Sequence, residues 1–242
     1  MNPVMIEVLV FEGCPNAAPA LALAQTVAER LGPGINVCRV EVDCDEEAAK
    51  QGFLGSPSFR INGIDLEGKQ NPDGALCCRV YEGGQGMPPE WLLEAVVLRA
   101  LRPKGLLFLC VANSARSQLA EGIARSLLPA DVKVWSAGSN PTRVRPKAIA
   151  VLAEVGIDLS GHHSKHVRDI PADEVDTVIT LCGEEECPLF LGQARRLHWG
   201  LADPAAVTSS EAERLGAFRH TRDELRKRLA NLIPEAVKKM RK

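Results

Sequence analysis

Leu106-Leu107-Phe108-Leu109-Cys110-Val111-Ala112-Asn113-Ser114-Ala115-Arg116-Ser117 is the stretch whose reading decides the fold. Residues 106–110 form a short unbroken apolar run, the pattern of a strand buried on both faces, and a helix is expected over 117–128. Strand and helix are therefore joined by a tight loop with the spacing Cys-x5-Arg-Ser. Such a turn can aim successive backbone N–H groups and a helix N-terminus at one point, which suits a tetrahedral dianion and a cysteine thiolate. Arg116 supplies a planar fork for two of the anion's oxygens. In a chain with 8 cysteines the bare spacing arises easily by chance; its position between strand and helix gives it meaning. The alternative is a core cysteine at a strand end beside a surface arginine.

Outward from this loop, the chain alternates. Strands are expected over 132–136, 175–181 and 195–199, a helix over 145–155, and a helical tail over 210–240 interrupted at Pro234. Such alternation implies a parallel four-stranded sheet with helices on both faces. The first half reads as a strand over 4–11, a helix opened by Cys14-Pro15, a strand over 35–42, a short helix after Asp43 and a strand over 58–61. Asn62-Gly63 then makes a hairpin into 64–66, a Gly- and Pro-rich loop runs over 68–89, and a helix over 89–101 closes the half. Arg102-Pro103-Lys104-Gly105 punctuates the chain, so two α/β domains are expected, 1–102 and 103–242.

Composition narrows the function. Of 242 residues, 45% are hydrophobic and 25% charged, which excludes disordered, collagenous and disulfide-stapled classes. The net charge of −2 divides unevenly, −6 over 1–102 and +4 over 103–242, too little basic charge for a phosphate-backbone grip, so no nucleic-acid partner is expected. No apolar stretch near the start approaches the ~20 residues of a membrane span, and neither a signal peptide nor a membrane partner is expected. Cysteine-rich without a secretory signal, the chain reads as cytoplasmic, its thiols available for exchange or attack. His162, His163 and His166 lack matching carboxylate or cysteine spacing and read as a surface loop, with no metal site expected. Cys38 and Cys44 read as small packing residues, and the basic run 238–242 as a solvated helix end.

Cys110 to Ser117 resembles the signature loop of the low-molecular-weight protein tyrosine phosphatase fold, which also hosts thioredoxin-coupled arsenate reductases. Two further segments match in order, residues 178–188 and Trp199-Gly200-Leu201-Ala202-Asp203-Pro204. The resemblance implies that Cys110 is the nucleophile, Arg116 the oxyanion clamp, Asn113 a loop brace, Ser117 a hydrogen-bond donor to the thiolate and Asp203 the general acid. Val111, Ala112, Asn113, Ser114, Ala115, Arg116 and Ser117 would cradle the substrate. Cysteines favour reductase over phosphatase: Cys182 and Cys187 match the reductase's shuttle pair, and Asp203-Pro204-Ala205-Ala206 lacks the aromatic residues that hold a phenyl ring. If Cys182 and Cys187 lay on one helix they would be separated by ~7.5 Å of rise, beyond what a disulfide accepts. The segment must therefore unwind, which Gly183 and Pro188 favour. Part of that family holds potassium. Asn113, Glu121 and Ser136 fall where its ligands are expected, but Lys165 stands in place of an acidic ligand, so potassium is not expected.

Gly13-Cys14-Pro15-Asn16, between strand and helix, with Gly55-Ser56-Pro57-Ser58-Phe59 downstream, resembles a thioredoxin or glutaredoxin fold in which Pro57 is cis and faces Cys14. Ala17 occupies the second cysteine position, so glutathione, Cys77 or Cys78 would have to complete a redox cycle. The leading expectation is reduction of arsenate to arsenite, regenerated by an external thiol (thioredoxin, or glutathione with glutaredoxin) and assisted in cis by the first domain docking on the second. A phosphomonoesterase and a non-catalytic arsenite-binding redox module are the alternatives.

Overall fold

A computed structural model describes residues 3–183 and 189–233, and its chain divides into two compact units, Met1–Arg102 and Pro103–Lys242. In the first, β1 (Val4–Val10) leads to α1 (Ala17–Leu31), β2 (Ile35–Glu41), α2 (Asp45–Gln51), β3 (Ser58–Ile61), β4 (Ile64–Asp65) and α3 (Glu90–Leu101). The sheet order is β2-β1-β3-β4, with β2 parallel to β1 and both β3 and β4 paired antiparallel. α1 buries Ala20, Ala24, Val27 and Leu31, a stripe at spacings of three and four that marks its core face. On α2, Ala48 packs with Leu9, Val42 and Phe53.

Residues 68–89 hold no helix or named strand, as expected, but they are not an open loop. Arg79 and Tyr81 are buried. The Arg79 guanidinium donates to Asp65 Oδ2 at 2.5 Å, Ser58 Oγ at 3.0 Å and Glu67 Oε2 at 2.9 Å; it also lies 4.3 Å from the centre of the Tyr81 ring. A buried guanidinium is tolerable only when its donors are paired, so this cluster pins the segment to β3 and β4. Burial raises the cost of the Glu67 charge, but hydrogen bonds from Arg79 and Lys69 outweigh it and hold the carboxyl below its usual range. The Ser56–Pro57 peptide is cis. Cys38 is half-buried, and Cys44 is exposed at the start of α2 rather than packed. Burial and the neighbouring Glu7 keep the Cys38 thiol protonated by raising its pKa.

The second unit runs β5 (Gly105–Cys110), α4 (Arg116–Leu127), β6 (Lys133–Gly138), α5 (Pro146–Ala153), β7 (Thr177–Thr180), β8 (Arg195–His198) and α6 (Glu211–Ala230). Its four strands are all parallel in the order β6-β5-β7-β8. β5 is buried along its whole length at the sheet centre; Leu107 and Leu109 pack with Ala137, Ile170, Val178 and Phe190. β7 starts later than expected because the Asp176 carboxylate turns to accept from Lys104 N at 2.7 Å and Gly105 N at 3.3 Å. α6 opens on a reciprocal cap between Ser210 and Glu213 and ends at Ala230; the basic run and Pro234 lie outside the described residues. Among the described residues, no helix is long and apolar enough to cross a membrane.

Candidate active site

The C-terminal end of β5 delivers Cys110 to the edge of the core, 3% exposed, and the chain then loops over residues 111–115 into α4. Four successive loop carbonyls are taken up from outside. Val111 O accepts from Asn140 N at 3.0 Å, Ala112 O from Thr142 N at 3.1 Å, Asn113 O from Ser164 Oγ at 2.7 Å and Ser114 O from Arg145 N at 2.9 Å. A planar trans peptide points its C=O and N–H in opposite directions, so fixing these carbonyls turns the N–H groups of residues 112–115 the other way, toward the inside of the loop. With the start of α4 they form an anion cradle. Asn113 takes the left-handed conformation, φ 44, which lets the loop close. Gly138, at the end of β6, passes so near that a Cβ there would run into Val111 O and approach Asn113 N and Cys110 O, both at 2.9 Å.

A directional chain of hydrogen bonds reaches the thiol from below. Asn113 Nδ2 donates to Ser117 Oγ and Ser136 Oγ, each at 2.8 Å. Ser117 Oγ thereby accepts from Asn113 and lies 3.0 Å from Cys110 Sγ, within reach for its own proton to point at the sulfur. Ser136 Oγ donates in turn to Glu121 Oε2 at 2.5 Å. The buried Glu121 carboxylate is matched by Lys165 Nζ at 3.2 Å and Arg125 at 2.8 Å, and the Lys165 backbone N–H donates to Asn113 Oδ1 at 2.7 Å. A bound potassium ion would need the oxygens of Asn113, Glu121 and Ser136 free to face it. Here Glu121 is neutralised by an ammonium group and the hydroxyl of Ser136 is committed to it, so these residues do not fit the ion.

Gln118 was not singled out by sequence. Its Nε2 donates to Asn113 Oδ1 at 3.0 Å and His163 O at 3.0 Å, and its Oε1 faces His162 Nδ1 at 3.0 Å. Only the three-dimensional return of residues 162–165 to the loop reveals it. His162 is accordingly half-buried rather than a surface residue. Burial, opposed by Glu121 and reinforced by Lys165, Arg125 and His163, holds its imidazole below the ordinary histidine value. Among the described residues, no group of three or more His, Cys, Asp or Glu side chains is arranged to hold a metal.

Arg116 is buried and reaches two segments. Its Nη1 donates to Leu201 O at 3.0 Å and Leu181 O at 3.4 Å, and its Nη2 lies 3.9 Å from Asp203 Oδ2. Asp203 caps a 3₁₀ turn over Pro204–Ala206 by accepting from Ala205 N at 3.1 Å, and its side chain is 35% exposed. Cys182 is fully buried at the end of β7. Leu109 pairs with Thr180, and Leu181 N donates to Leu109 O at 2.8 Å, so the register puts Leu181 level with Cys110 and Cys182 one step beyond. Cys187 lies outside the described residues. In the first unit, Cys14 is buried at the turn before α1, while Cys77 and Cys78 are exposed.

Comparison with known proteins places the second unit. Over 128 residues the chain is 40% identical to an arsenate reductase of Bacillus subtilis (strain 168), covering 52% of this chain and 92% of that protein. Over 130 residues it is 39% identical to an arsenate reductase of Staphylococcus xylosus, covering 53% and 95%. Among solved structures, an arsenate reductase in the phosphate binding state superposes with a TM-score of 0.47 at 38% identity, covering 53% of this chain and 95% of that one. The model of the family described as low molecular weight phosphotyrosine protein phosphatase matches residues 105–242. That span holds the parallel sheet, the Cys110 loop, the Arg116 fork and the Asp203 turn, and covers more than half of the sequence; the chain belongs to the low molecular weight phosphotyrosine protein phosphatase family.

Proposed function

We propose that the second unit reduces arsenate to arsenite through a relay of cysteines. The observation that carries this reading is Cys182, a second thiol buried one residue beyond the point level with Cys110 on the adjacent strand. A hydrolase of phosphate esters has no use for a thiol there. The curated relatives from Bacillus subtilis and Staphylococcus xylosus, both arsenate reductases, support the same substrate.

In this mechanism the loop N–H groups and Arg116 hold the arsenate oxyanion, and Ser117 steadies the Cys110 sulfur as it attacks arsenic(V). An arsenic–oxygen bond breaks, Asp203 protonates the departing oxygen, and a Cys110–arsenic bond forms. The Cys182 thiolate then attacks Cys110 Sγ. The S–As electron pair stays with arsenic, which leaves as arsenite, and the Cys110–Cys182 disulfide carries the two oxidising equivalents. Cys187 next attacks Cys182, freeing Cys110 and leaving Cys182–Cys187 for an external thiol such as thioredoxin or glutathione. The first unit, with its β2-β1-β3-β4 sheet, cysteine before α1 and cis Pro57, reads as a thioredoxin-like module that helps regenerate those thiols.

The test is arsenate turnover followed by mass spectrometry of trapped disulfides. Cys182→Ser should let Cys110 engage arsenate without disulfide formation, and Cys187→Ser should stop after one turnover at Cys110–Cys182. Many turnovers by Cys187→Ser with the same reductant overturn the three-thiol relay. Efficient hydrolysis of p-nitrophenyl phosphate that survives Cys182→Ser, with no arsenate turnover, replaces it with a phosphomonoesterase.

A further inference from the structure

The first unit places a nucleophilic cysteine position before α1 and puts Ala17, which has no thiol, where a second cysteine would complete the pair. Such a unit can open a disulfide but cannot release the product by itself. The fold ties a second thiol-bearing segment to the residue before cis Pro57. Ser56, which precedes cis Pro57, forms a parallel bridge with Cys78: Ser56 N donates to Cys77 O at 2.8 Å, and Arg79 N donates to Ser56 O at 3.0 Å. On its other side, Ser56 Oγ accepts from Phe11 N at 3.4 Å, and Phe11 O accepts from Cys14 N at 3.3 Å. One residue thus touches both the turn that carries Cys14 and the segment that carries Cys77 and Cys78.

That placement is built rather than incidental. Gly55 is in a left-handed conformation, φ 99, and a Cβ there would come within 2.8 Å of Arg79 N and 3.0 Å of Cys77 O, so the segment can lie this close only against glycine. Arg79, immediately after Cys78, is clamped by Asp65 and Glu67, and Tyr81 Oη donates to Pro57 O at 2.9 Å. Further along, Gly86 lies against the side chain of Asn16, two residues from Cys14, so closely that a Cβ would stand 2.7 Å from Asn16 Nδ2. The segment is therefore fixed beside the Cys14 turn near both Cys78 and Gly86. Within it, Arg79 and Tyr81 turn into the core while both cysteines stay exposed and free. Adjacent cysteines do not readily bridge each other without strain, which leaves them for a partner elsewhere.

We propose that the exposed Cys77-Cys78 pair supplies the resolving thiol for Cys14, making the first unit a complete dithiol reductant of disulfides despite Ala17. The proposal rests on the thioredoxin-like reading of this unit. The Cys14 thiolate attacks one sulfur of a substrate disulfide, forming a mixed disulfide and releasing one substrate thiol. A thiolate of the pair then attacks Cys14 Sγ, closing an internal disulfide and releasing the second substrate thiol. Two protein thiols are oxidised, one disulfide is reduced, and a low-mass thiol restores the pair.

Oxidised glutathione serves as the probe, with full-length protein, no arsenate, and peptide mapping to follow each cysteine. In the unaltered chain, a glutathione adduct on Cys14 should be transient and give way to a Cys14 disulfide with Cys77 or Cys78. In the Cys77→Ser/Cys78→Ser variant the adduct should persist at least about tenfold longer, since an intramolecular thiol acts at roughly millimolar effective concentration. The single variants then show which sulfur resolves. Equal adduct lifetimes in the two proteins, a Cys77–Cys78 bond, or disulfides only between chains would each overturn the proposal while leaving Cys14 as a nucleophile. No reaction at Cys14 under conditions that modify Cys44 would overturn the redox reading of the unit as well.

Discussion

Of the strand-to-helix crossings that carry a cysteine, those at Cys14 and Cys110 are built for different work. Cys14 stands three residues before α1 begins, in a short turn, with its neighbours supplied by a distant segment pinned to Ser56 and Pro57. Cys110 stands six residues before α4 begins, and the extra length is spent on a loop with four successive carbonyls tied outward. The comparison teaches that loop length and the fate of its carbonyls, rather than a cysteine near a helix, make an anion cradle. Around Cys110 the polar side chains are buried and linked from Glu121 to the sulfur, so that site is specified by its interior. The Cys14 site is specified by backbone contacts and leaves its companion thiols at the surface.

The largest expected effect breaks the comparison if it fails. Cys110→Ser should lower single-turnover arsenate reduction by about 10³-fold or more, whereas Cys14→Ser should leave that single turnover unchanged, because reductant is needed only afterwards. Equal loss in both variants would mean the two crossings share one reaction. Next, Arg116→Lys should cost about 10²- to 10³-fold in turnover with little change in thermal midpoint. Lysine keeps the charge but loses the fork. Normal turnover by this variant would remove Arg116 from the site.

Stability measurements sharpen the contrast between the loops. Gly138→Ala forces a methyl group against Val111 O and Cys110 O and should destabilise the second unit by about 3 kcal/mol, visible as a drop of roughly 6–12 °C in its melting transition. Lys165→Met leaves the buried Glu121 without its ammonium partner. A fully buried pair broken this way costs about 3–5 kcal/mol; Lys165 keeps some exposure and Arg125 remains, so about 2 kcal/mol is expected. The unaltered protein should melt at the same temperature in potassium and sodium chloride, and a selective rise in potassium would show that Lys165 does not stand in for the ion.

The smallest effect concerns pH. The imidazole of His162 is held below its ordinary value of 6.5 in the folded chain, so the unfolded chain binds this proton more readily. Stability from this group is full above 6.5 and falls as pH drops from there through the lower folded value. Denaturant melts of His162→Gln from pH 5 to 8 should show a shallower acid-side decline than the unaltered protein; an unchanged slope would assign the decline to other groups.

Much of the fold was legible because its signals are local. The apolar run of β5, the Asn62-Gly63 hairpin and the Pro103-Lys104-Gly105 punctuation each act over a few residues, and the observed strands and helices fall within a few residues of the expected bounds. Cys110 and Arg116 were singled out by their spacing between strand and helix, and Cys182 by the family resemblance. Gln118 and Gly138 were not, since Gln118 ties the loop to residues 44 and 45 positions away and Gly138 meets residues 25 to 28 positions away. Residues 68–89 read as a loop, and they are one, but glycine and proline announce irregular backbone without saying whether it is exposed, so the burial of Arg79 and Tyr81 was not legible.

Sequence by itself determined which chemistry is available: a thiol separated by five residues from an arginine between strand and helix, a second thiol after another strand, and an acid before a proline. Tertiary structure alone decided what those groups can do together. The parallel register of β5 and β7 brings the buried segment that carries Cys182 to the same end of the sheet as Cys110, the outward-tied carbonyls turn N–H groups into a cradle, and Lys165 returns across the fold to neutralise Glu121. Each depends on distances between chain-distant atoms, which hydrogen-bond geometry and close packing fix only once the sheet has formed.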